Sequence, residues 1–146
     1  MTRYLLMVDF QPGVTETLMD EWQPEEIEAH FDYYRALFQE LVESGELVQS
    51  EVLAPPDLGK IVTSDGSARV VTDGPFPEFM EWVAGYSIVD VESEERALEI
   101  AAKISAVPGP GGVPTQQPIQ VRQVMEKGPA NAEEMKTYLE HAGGER

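Results

Sequence analysis

Between Ile27 and Val42 the apolar side chains Ile27, Phe31, Tyr34, Phe38, Leu41 and Val42 return every three or four positions. That spacing puts them on one side of a helix, and such a stripe has to be buried against another element. Upstream, Tyr4 to Val8 reads Tyr-Leu-Leu-Met-Val, apolar at every position. This is the pattern of a strand that is central or covered on both faces. A covered strand followed by a one-sided helix restricts the chain to mixed α and β architectures. The helix start is marked by Pro24 and by Glu25 and Glu26, which suit its positive end. Gln23 before it is a poor cap, and Gly45 is a plausible stop.

The rest of the chain keeps this alternation. A polar connection runs through Pro12 and Gly13. Leu47 to Leu53 reads as a second strand, stopped by Pro55-Pro56. Lys60 to Ser64 and Ser67 to Thr72 flank Asp65-Gly66, a dipeptide that favours a tight hairpin turn. Tyr86 to Val91 is a further strand. Ser93 then caps a helix whose Ala97, Ile100, Ala101 and Ile104 share a face. Pro108 to Gly112 is a turn-rich loop. Ile119 to Met125 alternates as a strand, with Val121 and Arg122 on opposite faces. From Ala132 to about His141 a short amphipathic helix follows, with Met135, Tyr138 and Leu139 as its stripe. It is expected to pack on the domain or on a second subunit. The last residues, Gly143 to Arg146, are expected to fray.

Strand, helix, strand, inserted hairpin, strand, helix, strand is the order of a split βαβ, ferredoxin-like α+β fold. One such domain is expected over 1–125, with an extension carrying a short helix over 126–146. Two helices on one face of an antiparallel sheet leave the other face bare. A second copy is the economical cover, so a homodimer through the sheet faces is expected.

Composition narrows the function. The 146 residues carry 27 acidic and 10 basic side chains, a formal net charge of −17. This repels phosphate backbones and anionic membrane surfaces, so neither nucleic acid nor membrane is an expected partner. A solubilising surface is the simplest reading, and a basic protein partner is the sharper one. There is no cysteine, which removes thiolate chemistry and suits a reducing compartment. The apolar run of the first residues ends at Asp9, short for a secretory leader, and the chain reads as cytoplasmic. No metal is expected, because His30 has no second histidine at ligand spacing. The glycine-rich loop at Pro108 lacks the Lys-Ser/Thr of a phosphate cradle, and no cofactor is expected.

The segment Val71-Thr72-Asp73-Gly74-Pro75-Phe76-Pro77-Glu78 lies between two predicted strands. By composition it is a turn, with Phe76 as an anchor. It also resembles the signature of the DGPF branch of the YCII-related family. Glu81 and Gly85-Tyr86 occupy the acidic and glycine-aromatic places that follow. The resemblance extends to the opening strand, to Pro24-Glu25-Glu26 leading to His30, and to the Val121-Arg122 strand, most of residues 3 to 125. Pro77 stands where the family has a small residue, and Phe79-Met80 where a lysine is common. The resemblance implies a dimeric α/β barrel of ferredoxin-like subunits and a cleft holding a histidine and an aspartate. Some relatives look like enzymes, and others are encoded beside sigma factors.

His30 falls within the apolar stripe of the first helix, so it faces inward or into a cleft. A histidine packed at the core edge on a backbone partner is the structural alternative. The functional reading pairs it with Asp73, whose carboxylate would select the tautomer and raise the basicity of the other ring nitrogen. Gly74, Pro75 and Phe76 would wall the cleft, and Arg122 would hold an anionic ligand if it shares that cleft. His141, near a helix end, needs no further role. Two functions stay open: a small enzyme with a His30–Asp73 acid/base pair acting on a small molecule, and a ligand-sensing or regulatory module that binds a protein partner.

Overall fold

The computed structural model describes residues 1–10, 19–74 and 82–144. Strand β1 (Thr2–Phe10) leads into helix α1 (Pro24–Glu43). Strands β2 (Leu47–Val52), β3 (Lys60–Ser64), β4 (Arg69–Asp73) and β5 (Trp82–Val91) follow. Helix α2 (Glu94–Ser105), strand β6 (Ile119–Gln123) and helix α3 (Ala132–Gly144) complete the chain. One antiparallel sheet has the order β2-β5-β1-β6, and β3 and β4 form a separate hairpin. Helix α1 links β1 to β2 across β5, and α2 links β5 to β6 across β1. The fold is therefore α+β, and within one chain its sheet is open rather than closed into a barrel.

The core lies between the sheet and the first two helices. Tyr4 and Leu6 of β1 and Val89 and Val91 of β5 meet Leu37 and Leu41 of α1 and Ala97, Ile100 and Ile104 of α2. The buried side of α1 is centred on Leu37 and Leu41. Phe31 and Val42, members of the predicted stripe, sit at its margin and are exposed.

Local chemistry sets the helix ends. At the start of α1 the Glu26 carboxylate turns back to accept the Gln23 N–H at 2.8 Å. At the other end Gly45 takes φ +77°. Its N–H donates to the Val42 carbonyl at 3.1 Å and the Glu46 N–H to that of Leu41 at 2.9 Å, the paired closure that a left-handed glycine permits. The Ser93 hydroxyl accepts the Arg96 N–H at 3.2 Å and starts α2. The Arg96 guanidinium then grips the Glu46 carboxylate with two bonds of 2.9 Å, tying α2 to the entry of β2.

Among the described residues the opposite sheet face has no helix on it. Register places Arg3 beside Asp90, Leu5 beside Ile88, and Met7 beside Tyr86 there. Arg122 and Gln120 lie next to Leu5 and Met7 on the β6 side.

The hairpin corrects one expectation. Ser64 pairs with Arg69, so the connection is four residues long and not a two-residue turn. The Asp65 carboxylate accepts the N–H groups of Ser67 and Ala68 at 2.9 Å each and so closes the loop through its side chain. Every residue of β3 and β4 is exposed. Helix α3 is also exposed along its described side chains and has no extensive packing against another element among the described residues. The expected packing of its stripe on the domain is not found. Among the described residues no helix is long and apolar enough to cross a membrane.

Candidate functional site

Helix α1 carries His30 one turn before Tyr34 and seven residues before the buried Leu37. The ring is half-buried and its Nδ1 lies 2.9 Å from the Pro108 carbonyl oxygen. A carbonyl only accepts, so this nitrogen carries the proton and Nε2 holds the lone pair. Three aromatic rings meet the imidazole edge-on: Trp22 at 5.4 Å, Phe31 at 5.6 Å and Tyr34 at 5.1 Å between centroids. Burial among them lowers the His30 pKa below 6.5, and the Pro108 carbonyl opposes that shift only in part. His30 is thus a neutral, oriented imidazole with no second hydrogen bond at Nε2 among the described residues.

The loop that supplies this carbonyl is held from several sides. The second oxygen of the Glu26 carboxylate accepts the Gly111 N–H, and these backbone bonds hold the Glu26 pKa below its ordinary value. Gly111 and Gly112 take φ of +70° and +73°, a turn open to glycine. Gly109 lies flat against Trp22, where a Cβ would come within 3.5 Å of the indole and 2.8 Å of the Thr115 methyl. The Tyr33 hydroxyl donates to the Lys103 carbonyl at 2.6 Å, tying α1 to the end of α2 just before this loop. The adjacent Tyr34 phenol is pushed up to about 12, by burial first and by Tyr33 second. It is a neutral wall under physiological conditions.

Asp73 has a different partner. At the end of β4 its carboxylate meets the Lys60 ammonium at 2.5 Å, and both groups are largely exposed. No hydrogen bond joins Asp73 to His30 among the described residues; each has its own partner. Gly74 beside it has a structural reason to be glycine. Its N–H donates to the Gly59 carbonyl at 2.9 Å, and a Cβ there would lie 2.3 Å from the Pro56 carbonyl oxygen. The Asp-Gly pair is the clasp at the foot of the hairpin. Pro75 and Phe76 lie outside the described residues, as do Pro77, Glu78, Phe79, Met80 and Glu81. Arg122 is exposed on the bare sheet face, because Val121 takes the core-facing side beside Leu6. Strand alternation therefore keeps it away from the helix-covered side that holds His30.

The partners that sequence reasoning missed are Trp22, Glu26 as a loop tether, and the Pro108 carbonyl. The first two leave faint signals, a tryptophan just before a helix and a glutamate in its first turn. The third is a backbone group and leaves none. No group of three or more metal-ligating side chains occurs among the described residues.

An uncharacterised protein of Rhizobium meliloti (strain 1021) is 30% identical over 90 residues, which is 62% of this chain and 73% of that protein. The family model of the YCII-related domain matches residues 2–119, from the opening strand to the first residue of β6 and so through His30, its carbonyl partner and the hairpin clasp. Helix α3 lies beyond the match. The chain belongs to the YCII-related domain family.

Proposed function

We propose that the chain binds a small organic molecule beside His30 and that the imidazole accepts a proton or a hydrogen bond from it. One observation carries this reading: a neutral ring whose Nδ1 is committed to the Pro108 carbonyl, leaving Nε2 as the acceptor within an aromatic shell. Asp73 enters the proposal as a second group. It works at the hairpin foot and approaches through the bound molecule rather than through Nδ1, and the Gly74-Pro75-Phe76 segment is proposed to contribute to binding. A cytoplasmic setting fits the absence of cysteine, and a ferredoxin-like plan fits the strand order. A second copy over the bare face around Leu5 and Ile88 completes the reading as a homodimer.

The test is a thermal-shift screen of small metabolites on the wild type and on His30→Ala. A ligand that raises the wild-type Tm and leaves the variant unmoved supports the site. Ligands that shift both proteins equally place binding elsewhere and refute it.

A second reading has its own observation. Met135, Tyr138 and Leu139 of α3 are 43%, 43% and 59% exposed. Beside them an open groove of about 430 Å³ is lined by Met125, Lys127, Pro129, Glu134 and Tyr138, among others. An uncovered stripe of this kind supports a regulatory role in which α3 binds a protein, as sigma-factor signalling would use. Deletion of 126–146 that leaves ligand binding at His30 intact but abolishes complex formation in cells supports it; unchanged complexes refute it.

A further inference from the structure

The β3–β4 hairpin is two strands of five residues each, exposed on both faces. Among the described residues no third strand pairs with it, and two strands alone are marginal in water. Its apolar residues, Ile61, Val62, Val70 and Val71, are between 46% and 60% exposed. The outer edge of β4 bears neither proline nor bulge, and its protection against pairing rests on its shortness and on Arg69 and Asp73. That edge reads Arg69-Val70-Val71-Thr72-Asp73. Its residue types are self-complementary in the antiparallel sense. A two-fold axis beside Val71 sets Arg69 against Asp73 of a second copy, Val70 against Thr72, and Val71 against itself.

We propose that β4 pairs antiparallel with β4 of a second copy of this chain, centred on Val71, to make a four-stranded sheet from two hairpins. The charges select this register. Centring on Val70 or Thr72 leaves Arg69 and Asp73 without an opposite charge. The β3 edge offers no equivalent, because a two-fold at Val62 sets Lys60 against Ser64. The proposed sheet continues what the hairpin already contains. Val62 pairs with Val71 within one chain, so one face gains a row of four valines across the pair. Lys60 already grips Asp73, and Arg69 has no ion-pair partner among the described residues. The partner's Arg69 would join Lys60 on that carboxylate and give an alternating row of charge. A second copy therefore supplies a cation to a candidate site residue. This contact is separate from the bare sheet face and does not rest on the reading at His30.

The test is a charge swap followed by sedimentation velocity over a dilution series. Arg69→Glu sets two like charges together at each end of the pairing and leaves the Lys60–Asp73 clasp intact. A second chain carries Lys60→Glu with Asp73→Lys, which keeps the clasp with its charges reversed and sets like charges at position 69. Each variant alone is expected to dissociate at about tenfold or more higher concentration than the wild type, because opposite charges directly across strands attract and like charges repel. An equimolar mixture is expected to recover wild-type association, since both cross-strand pairs are then opposite in sign. Association of each variant like the wild type, a mixture no stronger than its components, or a wild type that stays monomeric at all concentrations overturns the proposal.

Discussion

Substituting Gly74 by alanine tests whether the Asp-Gly clasp shapes the hairpin through backbone approach alone. The new Cβ would lie 2.3 Å from the Pro56 carbonyl oxygen and 3.2 Å from the Gly59 carbonyl carbon and oxygen. A Cβ does not approach closer than about 3.0 Å, so the two backbones must part by roughly 0.7 Å, the difference between 3.0 and 2.3. Both obstacles are main chain, and no side chain can swing aside. The Gly74 N–H to Gly59 carbonyl bond, 2.9 Å long, stretches out of range. Losing that bond costs about 1 kcal/mol and forced overpacking costs about as much again. Together they make about 2 kcal/mol, or roughly thirtyfold in the opening equilibrium of the hairpin. The hairpin gives no residue to the core, so the loss stays local. Rapid hydrogen exchange with peptide resolution reads it: amides of β3 and β4 exchange about thirtyfold faster, those of β1 and β5 as before, and Tm barely moves. Hairpin exchange equal to wild type would refute the argument, and so would a collapse of Tm with the hairpin unchanged.

Further predictions concern titration. The His30 ring, followed by NMR, is expected to titrate with a midpoint below 6.5, since burial disfavours its charged form. The unfolded chain takes that proton near 6.5 and the folded chain only at lower pH. Stability is therefore lost as pH falls through this window. Tm of His30→Phe should lack that component between the two values, and an equal slope in wild type and variant would sink the assignment. Arg96 holds the Glu46 carboxylate below its ordinary value of 4.5, chiefly through their hydrogen bonds. That contribution is fully present above 4.5 and lost as pH falls through the lower folded value. Arg96→Met is expected to lower stability at neutral pH by about 2 kcal/mol. Calorimetry should show the gap to wild type closing below that pH; a constant gap would assign the loss to packing.

What could be read from the sequence was whatever depends on period and on local caps. Strand β1 follows from its unbroken apolar run and the Tyr86 to Val91 part of β5 from its residue types, while the stripe of α2 follows from helical spacing and the stop at Gly45 from a glycine's access to positive φ. Ser93 caps as its type predicts. Legibility ends where two distant backbones meet. Gly74 is glycine because of Pro56, eighteen positions away, and Asp-Gly-Pro composition says only that a turn is near. Asp65-Gly66 suits a two-residue turn equally well, and only the Asp65 side chain, bonded to Ser67 and Ala68, tips the loop toward four. Arg122 was placed on a face correctly by alternation, yet nothing in the strand pattern says which face α1 covers. The Pro108 carbonyl at His30 has no sequence signature, since any residue would provide the same oxygen.

That carbonyl changes the chemistry open to His30. A carboxylate at Nδ1 would favour the imidazolium by direct attraction and make Nε2 a stronger base. A neutral carbonyl selects the same tautomer with much less stabilisation of the charge, and the rings of Trp22, Phe31 and Tyr34 remove water that would otherwise solvate it. Burial outweighs the hydrogen bond, and the pKa falls rather than rises. Such an imidazole is unprotonated near neutral pH and ready to accept. It is a weak base until a negative charge arrives beside it. An anionic ligand would supply that charge, as would Asp73 brought close by ligand binding, and each would raise the His30 pKa as it binds. Ligand uptake and proton uptake would then be coupled, with one proton taken from solvent at a pH between the free and bound values. The aromatic shell keeps the free site neutral, so the proton would arrive with the ligand instead of waiting for it.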